Sequence, residues 1–321
     1  VKTKIEELQL EAYNQVPLKE DLTPINVSYN KDLQEYFNMS EIFDWPMTEP
    51  TDKFPEGQPS FNKNFLGLSP EGAVILNARK YSTFTSMFLE PFPKHIFNGK
   101  IHARFNQAVG EFGGARPGRL SCGDPNMQFV PKRDKFIGGI FRKAFIPSDE
   151  KYVLVELDYS QAEPRLFTHY SSEPELMRGY SSEPQIDMHS IAAQFMNISR
   201  DVAKNLNLGM MYAMGATKLS IQLGIPYEEA KYIIGRWHRT FPRVSHFTKQ
   251  ASLKAEERGY VFTILGRRAR FTNPSYSYRA ANRIVQGGSS DILKYKMVEI
   301  DDYLEKNNLE QYARMILTIH D

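Results

Sequence analysis

The sequence predicts an α+β fold, because two apolar strand-like segments lie on either side of a long helical region. Residues 152–158 and 313–321 each form a mostly apolar run that ends in Asp, the pattern of a buried strand. Residues 260–265 and 269–271 predict a hairpin around Gly266. The helical patterns cover residues 161–170, 199–214, 227–240, 247–258 and 278–304, with a break or kink expected in the last near Gly287 and Gly288.

The first part of the chain is acidic and rich in proline, with weak periodicity. Residues 38–41 predict the start of a short helix, and residues 45–59 a loop or linker. A helix is predicted from Ser69 to Leu89, since Pro70 then occupies the first helical position, and Pro91 and Pro93 should end it. Residues 101–133 form a long irregular stretch, which is typical of functional loops.

Length and composition narrow the class of protein. The chain has 321 residues, enough for about two subdomains. Its 41% hydrophobic and 24% charged residues are typical of a globular protein. The sequence contains no apolar run of about 18 residues, so it predicts no membrane span. The single cysteine, Cys122, excludes an internal disulfide and a cysteine-rich metal cluster, and it fits a reducing compartment.

Charge is distributed unevenly, although the net charge is only +2. Residues 1–60 hold 5 Lys and Arg against 12 Asp and Glu, whereas residues 200–283 hold 15 against 5. A concentrated basic region indicates a polyanionic partner. A solvated basic face is the alternative.

Two carboxylates stand at the ends of the predicted strands. If the strands are neighbours, Asp158 and Asp321 converge at one edge of a sheet. Mg²⁺ prefers such oxygen ligands, and two such ions could activate an attacking hydroxyl and stabilise a leaving oxyanion. The alternative for either residue is an Asp that simply caps a strand or a following helix.

Two basic elements suit phosphate. Arg200, Lys204, Leu208 and Tyr212 recur every four residues, on one stripe of a helix that Ser199 begins. The cations near its N-terminus suit a polyphosphate, and the aromatic end suits stacking on a base. Arg267, Arg268 and Arg270 in the hairpin suit phosphate contacts. The alternatives are an ordinary surface helix and an ordinary cationic hairpin.

Read in order, these motifs resemble family A DNA polymerases of the bacterial polymerase I type. Residues 158–165, DYSQAEPR, resemble the DYSQxExR motif. The helix with Arg200, Lys204, Leu208 and Tyr212 resembles RxxxKxxxFxxxYG, and His320-Asp321 resembles the start of the HDE turn. Further similar segments are 102–107, 119–121, 124–128, 259–270 and 286–288. The match runs from about residue 75 to 321, and the residues of its motifs are most similar to those of phage replicative members.

The resemblance implies a right-hand polymerase, with an antiparallel palm sheet carrying Asp158 and Asp321, helical fingers and a partial helical thumb. The implied segments are a linker or tail of an upstream region (1–60), a partial thumb (61–105), palm (106–170), fingers (171–285) and palm again (286–321). Because the sequence ends on the third motif, we expect a fragment that is weakly active or inactive alone. A missing C-terminal palm segment would be its partner.

The resemblance also implies residue roles. Asp158, Asp321 and the Tyr159 carbonyl would hold two Mg²⁺, with Mn²⁺ as a substitute. The residues around the incoming dNTP would be Arg200, Lys204 and His189 on the triphosphate, Tyr212 near the templating base, Glu163 beside the ribose 2′ position and Gln161 as its support. The primer–template DNA contacts would be Arg119, Asn126, Gln128, Asn282 and Gln286, together with Arg267 and Arg268. A buried or surface histidine is the alternative for His189.

Three residues depart from the family pattern: Leu208 replaces an aromatic residue, Ala213 a Gly and Pro164 a Leu. We expect Leu208 to alter speed or fidelity rather than to abolish activity. The implied activity is DNA-templated DNA synthesis in phage replication, in the bacterial cytoplasm or an infected host and without a membrane. There are two rival hypotheses. One is a non-catalytic nucleic-acid-binding fragment. The other is a single-subunit RNA polymerase, and the presence of Glu163 disfavours this second rival.

Overall fold

The computed structural model describes residues 2–19, 22–37, 47–48, 54–109, 114–131 and 137–319. The predicted α+β class is confirmed, because these residues are mainly helical with three small two-stranded sheets. The short helix predicted at residues 38–41 lies outside the described residues, as do His320 and Asp321. In the part of the chain that is described, no helix is both long and apolar enough to cross a bilayer.

The helices are α1 (Lys2–Asn14), α2 (Asn30–Tyr36), α3 (Lys63–Leu66), α4 (Pro70–Phe84), α5 (Pro91–Lys94), α6 (Ile137–Arg142), α7 (Ala162–Ser171), α8 (Pro174–Ser181), α9 (Met188–Met196), α10 (Arg200–Met211), α11 (Ala216–Leu223), α12 (Tyr227–Thr240), α13 (Pro242–Arg258) and α14 (Ala280–Lys306). The strands are β1 (Ile96–Phe97), β2 (Lys100–Ile101), β3 (Arg104–Asn106), β4 (Ser121–Gly123), β5 (Tyr260–Phe262) and β6 (Arg268–Arg270). Short 3-10 helices cover Met127–Phe129 and Pro274–Arg279, and a π-helical turn covers Thr85–Leu89.

The chain divides into two compact units, residues 1–104 with 124–154 and residues 105–123 with 155–321. The five segments predicted from the sequence are a finer division, and they stay a prediction. Each unit has its own apolar core.

The first unit is built around α4, which packs against α1 and α3. Ser69 begins α4 as predicted: its Oγ accepts from the Gly72 backbone N–H at 3.0 Å, and Pro70 follows at the first position. Ile75 and Ala78 of α4 are fully buried. The helical path continues through the π-turn to Leu89, so the predicted end is confirmed, although Pro91 then begins the short helix α5.

The second unit contains α7 to α14 and the β5–β6 hairpin. In α10 the buried residues Ala203, Leu206, Asn207, Met210 and Met211 recur at helical spacing on one face. That face packs against α9, which also contacts α12. Trp237 of α12 and Phe167 of α7 are among the largest fully buried side chains.

Most helices of this unit were predicted within a few residues. The bounds of α12 are those predicted, and α7 differs by one residue at each end. Helix α13 begins at Pro242 rather than 247, and α10 ends at Met211 rather than 214. The hairpin is confirmed, with Tyr260 opposite Arg270 and Phe262 opposite Arg268.

The strand predicted at residues 152–158 is wrong for this structure, and so is the strand predicted at 313–321 over its described part, 313–319. Both segments are irregular and mostly exposed, and neither takes part in a ladder among the described residues. Val153, Leu157 and Ile316 are each more than 70% exposed. An apolar run becomes a strand only when a neighbouring strand satisfies its backbone groups, and periodicity cannot report that neighbour. The predicted sheet carrying Asp158 is therefore absent from the described residues.

The break predicted in the last long helix is also wrong, while the alternative of a kink stays a prediction. Helix α14 runs without interruption through Gly287 and Gly288, which are both buried. A Cβ on Gly287 would lie 2.6 Å from Thr263 Cγ2 and 2.8 Å from Arg267 Nη2. Glycine at position 287 therefore allows close packing of the helix against the hairpin.

Candidate functional site

The carboxylate of Glu163 is the centre of a polar network in the second unit. Glu163 lies in the first turn of α7, where it is buried. Its Oε1 accepts an ion-paired hydrogen bond from Arg119, and its Oε2 accepts from the Tyr212 hydroxyl at 2.9 Å. Gln286 Nε2 in turn donates to the Tyr212 oxygen at 2.9 Å. Folding thus brings together four predicted site residues from four separate segments.

Burial affects the protonation of one member of this network, Tyr212. It raises the pKa of the Tyr212 phenol, and the neighbouring Glu163 carboxylate raises it further. Tyr212 therefore stays a hydrogen-bond donor to Glu163 at neutral pH. The paired carboxylate fixes the phenol oxygen, while Tyr212 is 42% exposed and so accessible to a ligand.

A cavity of about 630 Å³ adjoins this network. It is lined by residues of α10, α11 and α14, of the segment between α10 and α11, and of the 3-10 helix that precedes α14. Four predicted residues are among its lining: Leu208, Tyr212, Asn282 and Gln286. These four residues contribute an aromatic ring, an aliphatic side chain and two amides to the lining. Such a mixture suits a planar base that stacks on one face and hydrogen-bonds at its edge.

The loop that carries Arg119 is held by the hairpin and α14. Arg267 Nη2 donates to the Pro117 carbonyl at 2.6 Å, and its Nε donates to Asp291 Oδ1 at 2.7 Å. Ser290 Oγ donates to the Gly118 carbonyl at 2.6 Å. Arg267, predicted as a DNA contact, is thus bound to protein acceptors that support the Arg119 loop. Its neighbour Arg268 is exposed and lies over the Tyr260 and Phe262 rings.

The N-termini of α9 and α10 meet through an ion pair. Asp187 caps α9 by accepting from the Ser190 N–H at 2.7 Å, and Arg200, the first residue of α10, donates to its other oxygen at 2.5 Å. Burial alone would raise the pKa of Asp187, but the hydrogen bonds from Arg200 and Ser190 outweigh it and lower that pKa. Lys204, one turn further along α10, is exposed. Two predicted triphosphate cations thus lie on accessible positions of one helix.

His189 is buried at the start of α9, beside the same ion pair. Its Nδ1 lies 3.1 Å from Asn207 Nδ2, and the Asn207 Oδ1 accepts from the Trp237 indole at 2.7 Å. Burial lowers the pKa of His189. Asn207 and Trp237 were not predicted as site residues from the sequence. The available signal was an Asn on the apolar face of α10, where a buried amide must find partners.

Gln161 directly precedes α7 in a left-handed conformation, with φ of 57°. Its Oε1 accepts from the Tyr180 hydroxyl at 2.8 Å. Burial raises the pKa of Tyr180 to about 12, so this phenol keeps its proton and holds the Gln161 side chain. Gln161 is thereby fixed two residues before Glu163.

Asp158 and Tyr159 are exposed, just ahead of α7. A carboxylate and a backbone carbonyl are the oxygen donors that Mg²⁺ prefers, so the residues present fit such an ion in kind. Among the described residues no group of three acidic, histidine or cysteine side chains could hold a metal. The convergence of Asp158 with Asp321 stays a prediction.

Two predicted DNA contacts belong to the first unit. Asn126 caps the 3-10 helix that begins at Met127, and its Oδ1 accepts from the Gln128 backbone N–H at 3.1 Å. Asn126 is exposed and Gln128 half-buried. Their role at DNA stays a prediction.

Comparison with known proteins decides the family. A model described as DNA polymerase family A matches residues 1–321. This chain belongs to DNA polymerase family A. The resemblance predicted from the ordered motifs is therefore confirmed. Members of this family are metal-dependent enzymes that generally use Mg²⁺.

Similar proteins come from bacteria and phages. The chain is 35% identical to the thermostable DNA polymerase I of Thermus aquaticus over 267 residues, covering 77% of this chain and 30% of the relative. It is 32% identical to DNA polymerase DpoZ of Salmonella phage PMBT28 over 302 residues, covering 83% of this chain and 48% of the relative. This family A chain therefore spans less than half the length of these relatives.

A solved structure supports the same fold. The whole chain superposes on 57% of the POL domain of Pol1 from M. smegmatis, with a TM-score of 0.80 and 26% identity. That structure is a complex with DNA primer-template and dNTP. The α+β polymerase fold of this family A chain is thus established at the level of architecture.

Proposed function

We propose that this chain is the nucleotide-adding part of a DNA-templated DNA polymerase. It would transfer a nucleoside monophosphate from a dNTP to a primer 3′-OH and release pyrophosphate. One observation carries the proposal: Arg119, Tyr212 and Gln286 form one hydrogen-bonded network with the buried carboxylate of Glu163, at the edge of a cavity large enough for a base. Family membership and the DNA and dNTP in the M. smegmatis complex support it.

The residues on α9 and α10 would grip the nucleotide. Arg200 and Lys204 would neutralise the triphosphate charge, and His189 would add a hydrogen bond. Tyr212 and Leu208 would contact the base region of the cavity. Glu163, held in place by Arg119 and Tyr212 and supported near Gln161, would occupy the space that a ribose 2′-hydroxyl needs. Selection for deoxynucleotides would then be steric.

The metal ions would be held by Asp158, the Tyr159 carbonyl and Asp321. Bound Mg²⁺ would supply charge neutralisation and Lewis acidity at the reacting phosphate. We propose two such ions, with Mn²⁺ able to replace them. The protein's own share is to position and desolvate the reactants.

The primer–template would be contacted by two sets of residues. Amide and guanidinium groups would face the minor groove from Arg119, Asn126, Gln128, Asn282 and Gln286. These groups would recognise the geometry of a base pair rather than its sequence, because different base pairs present similar acceptors in the minor groove. Arg268 would contact the DNA backbone. The bacterial and phage sources of the relatives support a place in the bacterial cytoplasm or in a phage-infected cell.

Primer extension with dNTPs and Mg²⁺ tests the proposal, with Asp158→Asn as the decisive variant. We expect Asp158→Asn to abolish extension and to leave DNA affinity within about twofold, because Asp158 would act on the metal and not on the duplex. Asp301→Asn, an exposed residue of α14, makes the same chemical change as a control and should extend primers normally.

Two outcomes would favour the rivals. The assay is run with the chain alone and with the C-terminal palm segment that the family resemblance implies as its partner. DNA binding without any extension under both conditions, equal for the native chain and Asp158→Asn, would indicate a non-catalytic binding fragment. Preferential use of ribonucleotides would indicate an RNA polymerase.

A further inference from the structure

Asn207 lies between three polar groups in the interior of the second unit. It is fully buried in α10. Its Oδ1 accepts from the Trp237 indole at 2.7 Å, and its Nδ2 donates to the Met188 carbonyl at 3.1 Å. The same Nδ2 lies 3.1 Å from His189 Nδ1. One amide therefore joins α10, α12 and the start of α9.

The partners determine which way the amide points. An indole N–H can only donate, so the Asn207 atom facing Trp237 must be the oxygen. A backbone carbonyl can only accept, so the atom facing Met188 must be the nitrogen. The two restraints agree, and they turn the amide N–H₂ toward the imidazole ring.

The orientation of the amide then determines the tautomer of His189. Because Nδ1 receives a hydrogen bond, it must keep its lone pair, and the ring proton must lie on Nε2. An imidazolium would place two N–H groups against each other at Nδ1. The described residues offer Nε2 no hydrogen-bond partner.

We propose that Asn207 is a positioning residue that holds His189 as the neutral Nε2–H tautomer, so that this N–H donates to a phosphate oxygen of the bound nucleotide. The inference rests on the proposed function only for the identity of the acceptor. His189 then contributes a directed hydrogen bond rather than a charge, while Arg200 and Lys204 supply the charge on the same side.

The charged surroundings of His189 agree with a neutral ring. Burial lowers its pKa most, Asp187 raises it, and Arg200 and Lys204 lower it. Helix α12 presents the neutral Trp237 indole, and α8 presents the Tyr180 hydroxyl, 3.5 Å from the Met188 backbone nitrogen. Because the folded pKa lies below the ordinary value of 6.5, the Asn207 bond is intact above that pH. It is lost as the pH falls through the lowered pKa.

The native chain provides the first test. Labelling histidine with ¹⁵N and recording long-range ¹H–¹⁵N spectra distinguishes the two ring nitrogens, and His189→Gln assigns the signals. We expect a protonated Nε2 and an unprotonated Nδ1 throughout the neutral pH range. A proton on Nδ1 in the native chain would overturn the proposal, and this result needs no substitution at position 207.

Asn207→Asp provides the second test, because it keeps the shape and the acceptor for Trp237 but replaces the donor to His189 by a carboxylate. The ring must then carry a proton on Nδ1, and the pKa of His189 should rise by about one unit or more. At low pH the imidazolium still donates from Nε2, so Mg²⁺·dATP should bind as in the native chain. Above the raised pKa, Nε2 loses its proton, and binding should weaken about tenfold.

The controls separate positioning from folding. Asn308→Asp makes the same change at an exposed residue beyond α14, and it should alter neither the spectrum nor the pH profile. The native chain measured over the same pH series accounts for titration of the nucleotide itself. Should Asn207→Asp not fold, Trp237→Phe removes the indole donor together with part of a buried ring. The Met188 carbonyl then orients the amide without Trp237, so a minor Nδ1–H tautomer of His189 should appear beside the Nε2–H form. An unchanged His189 spectrum in Trp237→Phe would contradict the role of Trp237 in orienting the amide.

The two proposals fail differently. A correct tautomer in a chain that does not bind Mg²⁺·dATP would leave the Asn207 role standing and refute the nucleotide grip. Nucleotide binding with Nδ1 protonated, or with the same pH profile in Asn207→Asp and the native chain, would refute the Asn207 role alone.

Discussion

At the scale of single residues, Glu163 shows how a buried charge is made tolerable. A carboxylate that is only 9% exposed needs compensation, and Arg119 and Tyr212 provide it from distant parts of the chain. The same two partners restrict the side chain to one position. A residue held in this way can act as a fixed steric wall.

Replacing Glu163 separates its volume from its charge. We expect Glu163→Ala to raise ribonucleotide incorporation relative to deoxynucleotide by about tenfold or more, because it opens the space of several heavy atoms. Glu163→Gln should keep near-native selectivity while unfolding at a lower temperature, because Arg119 loses its carboxylate. Single-nucleotide incorporation and thermal melts measure both effects. Native sugar selectivity in Glu163→Ala would contradict the steric role.

Ala213 has a left-handed backbone, with φ of 55°, where a Cβ is strained. Ala213→Gly should therefore increase the free energy of unfolding by about 0.5–1 kcal/mol, after allowing for the greater entropy of the unfolded chain. Ala193→Gly in the middle of α9 should decrease it by about 1 kcal/mol. Urea unfolding of both variants checks the contrast, and a loss of stability in Ala213→Gly would refute the strain.

Leu208 lines the open cavity, so a larger ring at this position has room. We expect Leu208→Phe to fold normally and to change the rate, fidelity or dideoxynucleotide use of primer extension. Leu253→Phe, at an exposed residue of α13, should change none of the three. If all three properties of Leu208→Phe matched those of the native chain, position 208 would have no such role.

At the scale of elements, α14 and the β5–β6 hairpin pack closely through glycine. Thr263 of the hairpin and Gly287 of the helix leave no space for a methyl group between them. One residue later, the same helix has ordinary clearance: a Cβ on Gly288 would have no neighbour closer than 3.6 Å. Close packing therefore requires glycine at position 287 but not at position 288.

Alanine at each glycine tests this difference. Gly287→Ala should destabilise the chain by about 1–3 kcal/mol, because the added methyl group overlaps Thr263 and Arg267. Gly288→Ala should be neutral or stabilise by up to about 1 kcal/mol, because alanine favours a helix interior. Chemical denaturation of both variants measures the two changes in the free energy of unfolding. Equal effects would show that packing does not distinguish them.

At the scale of the whole molecule, the second compact unit contains most of the predicted site residues, whereas Asn126 and Gln128 belong to the first. The basic segment 200–283 also lies in the second unit. Not every cation there is available to a polyanion, however. Arg267 binds Asp291 and the Pro117 carbonyl, while Arg268 is exposed.

This difference predicts two separate phenotypes. Arg267→Ala should lower the free energy of unfolding by about 2 kcal/mol, because buried Asp291 loses a charged donor. Arg268→Ala should leave stability within about 0.5 kcal/mol and reduce the salt dependence of DNA affinity by about one unit of log–log slope. Denaturation and fluorescence anisotropy at several salt concentrations measure both. A normal stability in Arg267→Ala would contradict its supporting role.

Local patterns in the sequence were sufficient for the family and for most helices around the site, although α8, α9 and α11 were not predicted. Ser199 and Ser69 cap helices as predicted, and the bounds of α12 match, because helices depend on residues three or four positions apart. The ordered motifs identify family A for a similar reason: each is a short run of side chains that can be read without the fold. The residue types of the candidate site are likewise visible in the sequence.

Only the tertiary structure decided which of these residues meet. The ion pair of Arg119 with Glu163 joins residues 44 positions apart, and the hydrogen bond between Trp237 and Asn207 joins residues 30 positions apart. The apolar run at 152–158 predicted a strand but forms none, and Arg267 turned inward toward Asp291 while Arg268 did not. A strand needs a partner and a buried polar group needs a counterpart, and both are supplied by distant residues that local periodicity cannot identify.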